Sequence, residues 1–539
     1  RWSKVSTGMR HKPASSSSGE TAVVILLIAV VASVFLLIST YGVQLVDDGY
    51  YYLEIARNIA NGNGFTFDGL NLTNGFHPLW QILLVPIFLM TESKALAAVA
   101  VTMLQTLLFA ASGYMLYRIL LENTKKIYLS ITGAAFWLFN FWFWSKGALS
   151  GMETGLLTLC FGTSLLLFTR SLRGSCSPWL LSIALIATCM ARFDSLALVF
   201  GICLIFLILR RFRDAIRTGL PVMIYLILYM VTNKLVFGGI FPVSGYIKSS
   251  TGTELLGQLF ANGNLRFFQH GAANFVSFAT LGGRIPLLAA LAAIAGIVWA
   301  VIWFVRTAAA PIREMVAVCS IYAASLLLYY SFMYDSLLDI YTYYWFPVIL
   351  GITISIFILL SRIQHRLLRS GIIWILLAGL IGFNYVYAHD RLQSYSFVIP
   401  DSGRPERNAV NFLNTLDDGT VIGSWDAGYV GYYCSHRVVN LDGLVNSYEY
   451  QIILHEQGLA EYLDMQNITC IANIDHFTGQ RDMMEHMNGW YLTFEDSSAF
   501  PNPVSLFSVS AGGSLYASHQ SRVFFVYCRS DSIHHFPGR

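Results

Sequence analysis

Two adjacent carboxylates, Asp47 and Asp48, stand between an apolar run at 22–45 and three consecutive tyrosines, in the stretch VDDGYYYLEIARN. Paired acids in that position have three uses. One caps the next helix while the other is solvated, or one takes the proton of an acceptor hydroxyl, or the pair holds a metal where lipid-borne and aqueous substrates meet. More ionisable groups recur beside apolar runs: Lys146 and Glu153 in SKGALSGMET, Arg192 and Asp194 in ARFDS, and Tyr246 and Lys248 in FPVSGYIK. DSLLDIYTYYW adds Asp335, Asp339, Tyr341, Tyr343 and Tyr344, while Arg57 and His77 belong to the first loop. Carboxylates interleaved with Arg and Lys suit a reaction with a proton to remove and a phosphate to hold. Blander readings stand beside this one. Arg192 and Asp194 neutralise each other, as a charge at membrane depth costs about 2.5–3.5 kcal/mol. The tyrosines form an interfacial belt, and His77, without partners at metal-ligand spacing, is structural.

These residues must be positioned by membrane helices. Of the 539 residues, 55% are hydrophobic and only 12% charged, and the mean hydropathy is +0.56. Soluble globular domains carry roughly 25% charged residues, so the composition predicts a polytopic membrane protein. Apolar runs lie at 22–45, 95–120, 127–144, 154–169, 178–191, 195–209, 219–237, 285–304, 314–333, 345–361 and 371–387. The first, 24 residues long and preceded by basic residues, is too long for a signal peptide and is read as a retained span. With the N-terminus in the cytoplasm, eighteen Lys and Arg fall inside and eight in the outer segments before residue 388. That bias predicts about eleven spans with the C-terminus outside. The short run at 78–90, broken by Pro86, is expected as a re-entrant or interfacial helix. The stretch 178–209, with ARFDS at its middle, is expected as a helical hairpin whose tip stops near the outer leaflet; a single 32-residue helix is the alternative. Asp48 is expected to cap an interfacial helix with Tyr51, Ile55 and Ile59 on one face, Glu54, Arg57 and Asn58 on the other, and Gly62 closing it.

From about residue 388 the composition turns ordinary. Helices are predicted at 405–416 and 448–463, and strands at 420–423, 437–441, 468–474 and 523–528. The alternation implies a small extracytoplasmic α/β domain, giving a membrane domain at 1–387 and a soluble domain at 388–539. The loops WDAGYVGYY and NLDGLVN are either ordinary βα turns or acceptor-shaping elements. The eight cysteines show no metal-ligand spacing: Cys160, Cys176, Cys189, Cys203 and Cys319 fall in apolar segments. Cys434, Cys470 and Cys528 allow one disulfide that the sequence does not pair.

The order of motifs resembles the GT-C superfamily of membrane glycosyltransferases. Its carriers are the acidic pair, then Tyr52, Ala56, Arg57, Asn58, Ala60, Gly62, Gly64 and Phe65, then Asn74, Gly75, Pro78, Leu79 and Trp80. SGMET, ARFDS, FPVSGYIK and VVNLDGLVN follow in order. The first-loop motif is most similar to the terminal arabinofuranosyltransferase branch, with aminoarabinose and protein O-mannosyl transferases more distant. The chain departs from common family patterns at Phe193–Asp194–Ser195 and at His77. The resemblance implies sugar transfer from a polyprenyl-phosphate donor to a glycan, lipid or protein acceptor on the outer face, usually with inversion. It implies that Asp47 or Asp48 is the base; the capping position of Asp48 leaves Asp47 as the choice. Arg192, Lys248 and Arg57 would hold the donor phosphate, with Tyr52, His77, Glu153, Asp194 and Tyr246 about the substrate. Some superfamily members use a divalent cation, which an acidic pair alone does not decide. No Walker loop or dinucleotide fingerprint is present, so no soluble nucleotide donor and no nucleic acid partner are expected. A lipid-linked-sugar flippase and an inactive glycan-binding relative are the rival readings; the transporter reading lacks visible inverted repeats and midplane-broken helices.

Overall fold

The computed structural model describes residues 14–41, 43, 45–337, 342–393, 405–456, 458–474, 484, 490–496 and 524–529. The chain opens with α1 (Ala14–Tyr41) and a first loop containing α2 (Asp47–Ala60) and α3 (Pro78–Met90). There follow α4 (Lys94–Thr124), α5 (Ile127–Leu138), the single turn α6 (Phe141–Phe143) and α7 (Thr154–Leu172). Next come α8 (Pro178–Ala191), α9 (Leu196–Ile208) and α10 (Phe212–Phe237), and then the shorter α11 (Val243–Lys248), α12 (Ser250–Asn262) and α13 (Arg266–Ala279). The helical part ends with α14 (Leu287–Thr307), α15 (Ile312–Met333), α16 (Phe346–Arg362) and α17 (Arg366–Gln393). Each of the apolar runs is mainly helical over its described residues, the run at 127–144 being interrupted at Phe139 and Asn140. Eight helices (α1, α4, α7, α10 and α14 to α17) are long and apolar enough to cross a membrane. This is an integral membrane protein. The others, α5, α8 and α9, have 12 to 14 residues, about 18–21 Å.

The stretch 178–209 is a hairpin and not one helix. Arg192 takes extended backbone angles (φ −159°, ψ 129°) between α8 and a 3-10 turn at Phe193–Ser195, so its side chain leaves the helical path just where the chain reverses. The two ends of the bundle differ in charge. At one end Glu122 meets Arg118 at 3.4 Å, Arg173 at 3.7 Å and, closest, Arg170. There too the Arg211 guanidinium donates to the carbonyls of Leu172 (3.2 Å) and Ser171 (3.0 Å), satisfying orphan acceptors at the end of α7. The other end carries the first loop and the C-terminal domain.

That domain contains α18 (Pro405–Leu413), β1 (Val421–Ser424), α19 (Gly428–Tyr433), β2 (Arg437–Asn440), α20 (Tyr448–Glu456), α21 (Leu459–Met465), β3 (Cys470–Ile474), β4 (Trp490–Asp496) and β5 (Phe524–Arg529). The sheet order is β2-β1-β3-β5-β4; β1 runs parallel to β2 and β3, and β5 antiparallel to β3 and β4. Four strands lie where the alternation predicts them, and β4 was not foreseen. The helix expected at 448–463 is two helices, because Gly458 between them has φ +90°. Cys470 and Cys528, paired across β3 and β5, form the disulfide and leave Cys434 as a buried thiol.

The expectation for α2 needs correction. It does not lie along a surface: Gly49 through Ala56 and also Asn58 are buried. Nor does Asp48 cap it, since the helix begins at Asp47 with Val46 as N-cap and no side-chain cap. The reason is tertiary. The neighbouring first-loop helix α3 covers one side of α2 and α19 packs on it as well, with Tyr50 packed edge-on against Tyr429 (5.3 Å) and beside Tyr432 (5.6 Å). The polar face is satisfied internally. Glu54 pairs with Arg57, and Asn58 donates to the carbonyls of Thr66 (3.0 Å) and Phe67 (2.9 Å), folding the first loop back on its helix.

Candidate active site

Neighbours in sequence, Asp47 and Asp48 point to different partners. The Asp47 carboxylate accepts the backbone N–H groups of Gly428 (2.9 Å) and Tyr429 (2.8 Å) where α19 begins. Gly428 is required there, because a Cβ would collide with Asp47. One turn along α2, the Tyr51 hydroxyl donates to Asp442 (2.9 Å) and accepts from the Ala427 N–H and the Asn440 amide, both at 3.3 Å. Thus β1 and β2 present the loops at their C-terminal ends to α2, and the WDAG and NLDG turns clamp it.

Burial, with Asp426 close by and Asp48 contributing, pushes the Asp47 carboxyl up to about 8 against the two backbone donors. Burial likewise pushes Asp442 up to about 7. Both groups bind protons more tightly folded than unfolded. Their contribution to stability is therefore full below about pH 4 and is lost as pH rises through about 7 to 8. Thermal unfolding followed from about pH 5 to about pH 9 should show stability falling over that window, with a shallower fall in Asp47→Asn.

Asp48 faces a cavity of about 580 Å³ that is also lined by Tyr52, His77, Arg192, Asp194, Tyr246 and Lys248. These come from the start of α2, the entry to α3, the tip of the α8–α9 hairpin and α11. Alternating helix ends put them at one end of the bundle. Lys248 Nζ stands 3.9 Å from Asp48 Oδ2 and donates to the Tyr344 hydroxyl at 3.1 Å. Burial works against the Lys248 ammonium, but Tyr344 and Asp48 outweigh it, and its pKa lies above the ordinary lysine value. The Tyr343 hydroxyl donates to Asp48 at 3.1 Å. Arg192 lies over the Tyr344 ring at 3.9 Å and pairs with Asp194 (2.8 Å) and Glu153 (2.9 Å). Tyr330 donates to Asp194, and Tyr52 to Glu153 at 3.2 Å. The SGMET loop carrying Glu153 is tethered by Gln105, whose side chain bonds the Gly151 N–H at 2.9 Å and the Ser150 hydroxyl at 3.2 Å.

Not every expected residue reaches this cavity. Asp47 is held at the domain junction, and Glu153 sits behind Arg192. Arg57, expected to hold donor phosphate, is paired with Glu54, on the side of α2 where Lys94 and Tyr432 contribute to the field. Asp339 and Tyr341, and the Lys146 side chain, lie outside the described residues. Conversely, Tyr343 and Tyr344 contact the site directly, although an aromatic run at a span end reads most simply as a belt. Tyr330 had no sequence signal, being a single residue in an apolar helix, while Asp442 lies in the NLDGLVN loop that the sequence singles out only as a whole. Among the described residues no three His, Cys, Asp or Glu side chains are grouped so as to hold a metal ion. Asp48 has an ammonium beside it, and Glu153 and Asp194 share a guanidinium. That donor set does not fit a divalent cation.

A family model described as a domain of unknown function (DUF8728) matches residues 396–520. No curated protein matches the chain. Among solved structures, ArnT from Cupriavidus metallidurans bound to undecaprenyl phosphate is similar over 93% of this chain and 97% of that one, at 13% identity and TM-score 0.50. The apo state of ArnT from the same organism aligns over 94% and 98%, at 15% identity and TM-score 0.49. The first likeness is one of fold: this chain has the fold of that ArnT.

Proposed function

We propose that this protein is a glycosyltransferase. It moves a sugar from a polyprenyl-phosphate donor to a hydroxyl of a glycan, lipid or protein acceptor, inverting the anomeric centre. One observation carries the reading: a single cavity joins a carboxylate, Asp48, to two cations, Lys248 and Arg192, with apolar walls that include Leu326 and Met333 of a membrane helix. The likeness to an ArnT bound to undecaprenyl phosphate supports the donor class, and the first-loop motif is the ground for proposing the terminal arabinofuranosyltransferase branch. The cavity end is then the outer face and the arginine-rich end the cytoplasmic one. The chain divides near residue 387 into a membrane domain and an extracytoplasmic domain.

Asp48, and not Asp47, is the base in this mechanism, because Asp47 is engaged by two backbone donors. The acceptor oxygen gives its proton to Asp48 and forms the new bond to the anomeric carbon as the carbon–phosphate-oxygen bond breaks. The phosphate leaves with the electron pair. Lys248 is the more available cation to receive it, since Arg192 is already shared by two carboxylates. A phosphate oxygen about 2.8 Å beyond the ammonium would lie up to about 6–7 Å from Asp48. That is roughly the reach of a hydroxyl, anomeric carbon and leaving oxygen in line.

The test is sugar transfer by the purified protein in vesicles supplied with labelled polyprenyl-phosphate sugars and an envelope-derived acceptor fraction. Lys248→Met should raise the donor KM about 10–100-fold, the worth of one charged hydrogen bond, with the acceptor KM little changed. Passage of the labelled lipid across the bilayer without transfer of its sugar would instead support a flippase and end this reading.

A further inference from the structure

His77 holds a place in the cavity that the transfer chemistry does not use. It caps the entry to α3 with extended backbone (φ −89°, ψ 121°), and its carbonyl accepts the Gln81 N–H at 3.1 Å, so the ring springs from a fixed point. Nε2 lies 3.5 Å from Glu153. That carboxylate is already engaged by Arg192 and by the Tyr52 hydroxyl. Within this network the His77 side chain is 21% exposed, against 6% for Arg192 and 1% for Glu153; Tyr52 and Arg192 line the cavity too, and His77 is the most open of the three. Among the described residues, no hydrogen bond to the ring nitrogens is formed from protein. Burial lowers the imidazole pKa, with Glu153 opposing in part; in the neutral ring an Nε2–H faces the Glu153 carboxylate and Nδ1 is left as an acceptor. Asp48, Arg192, Asp194 and Lys248 around it are charged groups suited to a proton or a phosphate. A neutral acceptor suits an uncharged O–H donor, and an alcohol is that group.

We propose that His77 is a specificity-determining residue that hydrogen-bonds a hydroxyl of the transferred sugar, while Lys248 and Arg192 take the phosphate. The assignment rests on the donor class proposed above. It predicts that His77 contributes to the grip on the sugar and nothing to the grip on the lipid phosphate. Sites built to bond a hydroxyl discriminate by leaving their own polar atoms unpaired when it is missing.

Binding separates the two. Bare polyprenyl phosphate and the same lipid bearing a series of pentoses and hexoses would be titrated against the full-length protein in nanodiscs. In the wild type one sugar-bearing lipid should bind more tightly than the bare carrier. In His77→Ala that margin should shrink about tenfold, with bare-carrier affinity within about twofold of wild type. His77→Asn, which keeps a donor and an acceptor, should retain part of the margin and change the order of preference among the sugars. An unchanged margin in His77→Ala, or a loss equal for bare and sugar-bearing lipid, would overturn the assignment. If no sugar-bearing lipid outbinds the bare carrier in the wild type, the donor reading falls, and that failure is visible without any variant.

Discussion

Asp48→Asn is expected to lower kcat by about 10²–10⁴-fold, the range for loss of a positioned general base, while the donor KM stays within about threefold of wild type. The change is nearly isosteric, and the amide oxygen still accepts the Tyr343 hydroxyl bond seen at 3.1 Å, so the cavity keeps its shape. Only the proton acceptor is removed. The informative control is Asp47→Asn. Its carboxylate is occupied by the Gly428 and Tyr429 N–H groups. Replacing one oxygen by an amide disturbs the clamp between α2 and α19 without touching the reacting atoms. A stability loss with most of the turnover retained is expected. Steady-state rates on both variants decide the matter: equal collapse of kcat in the two would show that Asp48 has no special role, and the base would have to be sought elsewhere.

The second large effect is on folding. Arg192→Ala should destabilise the protein by about 3–5 kcal/mol, the cost of breaking a buried ion pair from one side. The guanidinium is 6% exposed, and its partners Glu153 and Asp194 are 1% and 11% exposed. Without it two buried carboxylates face each other uncompensated, and the Tyr344 ring loses the cation above it. Unfolding in detergent micelles would measure this. The triple change Arg192→Met, Glu153→Gln, Asp194→Asn removes all three charges and should recover more than half of the loss, because neutral groups carry a far smaller desolvation cost. If Arg192→Ala unfolds like the wild type, the ion-pair network is not what holds the hairpin tip.

Much of this was legible from the chain alone because membrane insertion imposes a local code. An apolar stretch must satisfy its own backbone in hydrocarbon, so each of the runs from 22–45 to 371–387 had to become a helix. The uneven Lys and Arg distribution sets which helix ends share a face. Those two facts bring Asp48, Arg192 and Lys248 to one end of the bundle before any contact is known. ARFDS placed mid-run likewise predicts a hairpin, since a charged pair at membrane depth needs the chain to turn and be paired there. Strands β1, β2, β3 and β5 followed from ordinary alternation.

What two identical neighbours do was beyond that code. Asp47 and Asp48 are the same residue type in the same turn, and local capping logic assigned them in the opposite sense to the geometry. Only the docking of the NLDG and WDAG turns onto α2 separates them: it gives one carboxylate two backbone donors and leaves the other beside Lys248. The same docking buries a helix whose amphipathic pattern reads as interfacial, and it brings residues 300 and more positions apart into one hydrogen-bond network. Tyr343 and Tyr344 reach the site through other long-range contacts, to Asp48, Lys248 and Arg192. Periodicity reports which face of an element is apolar; which partner covers it, and hence which acid is left to face the cavity, depends on contacts between distant segments.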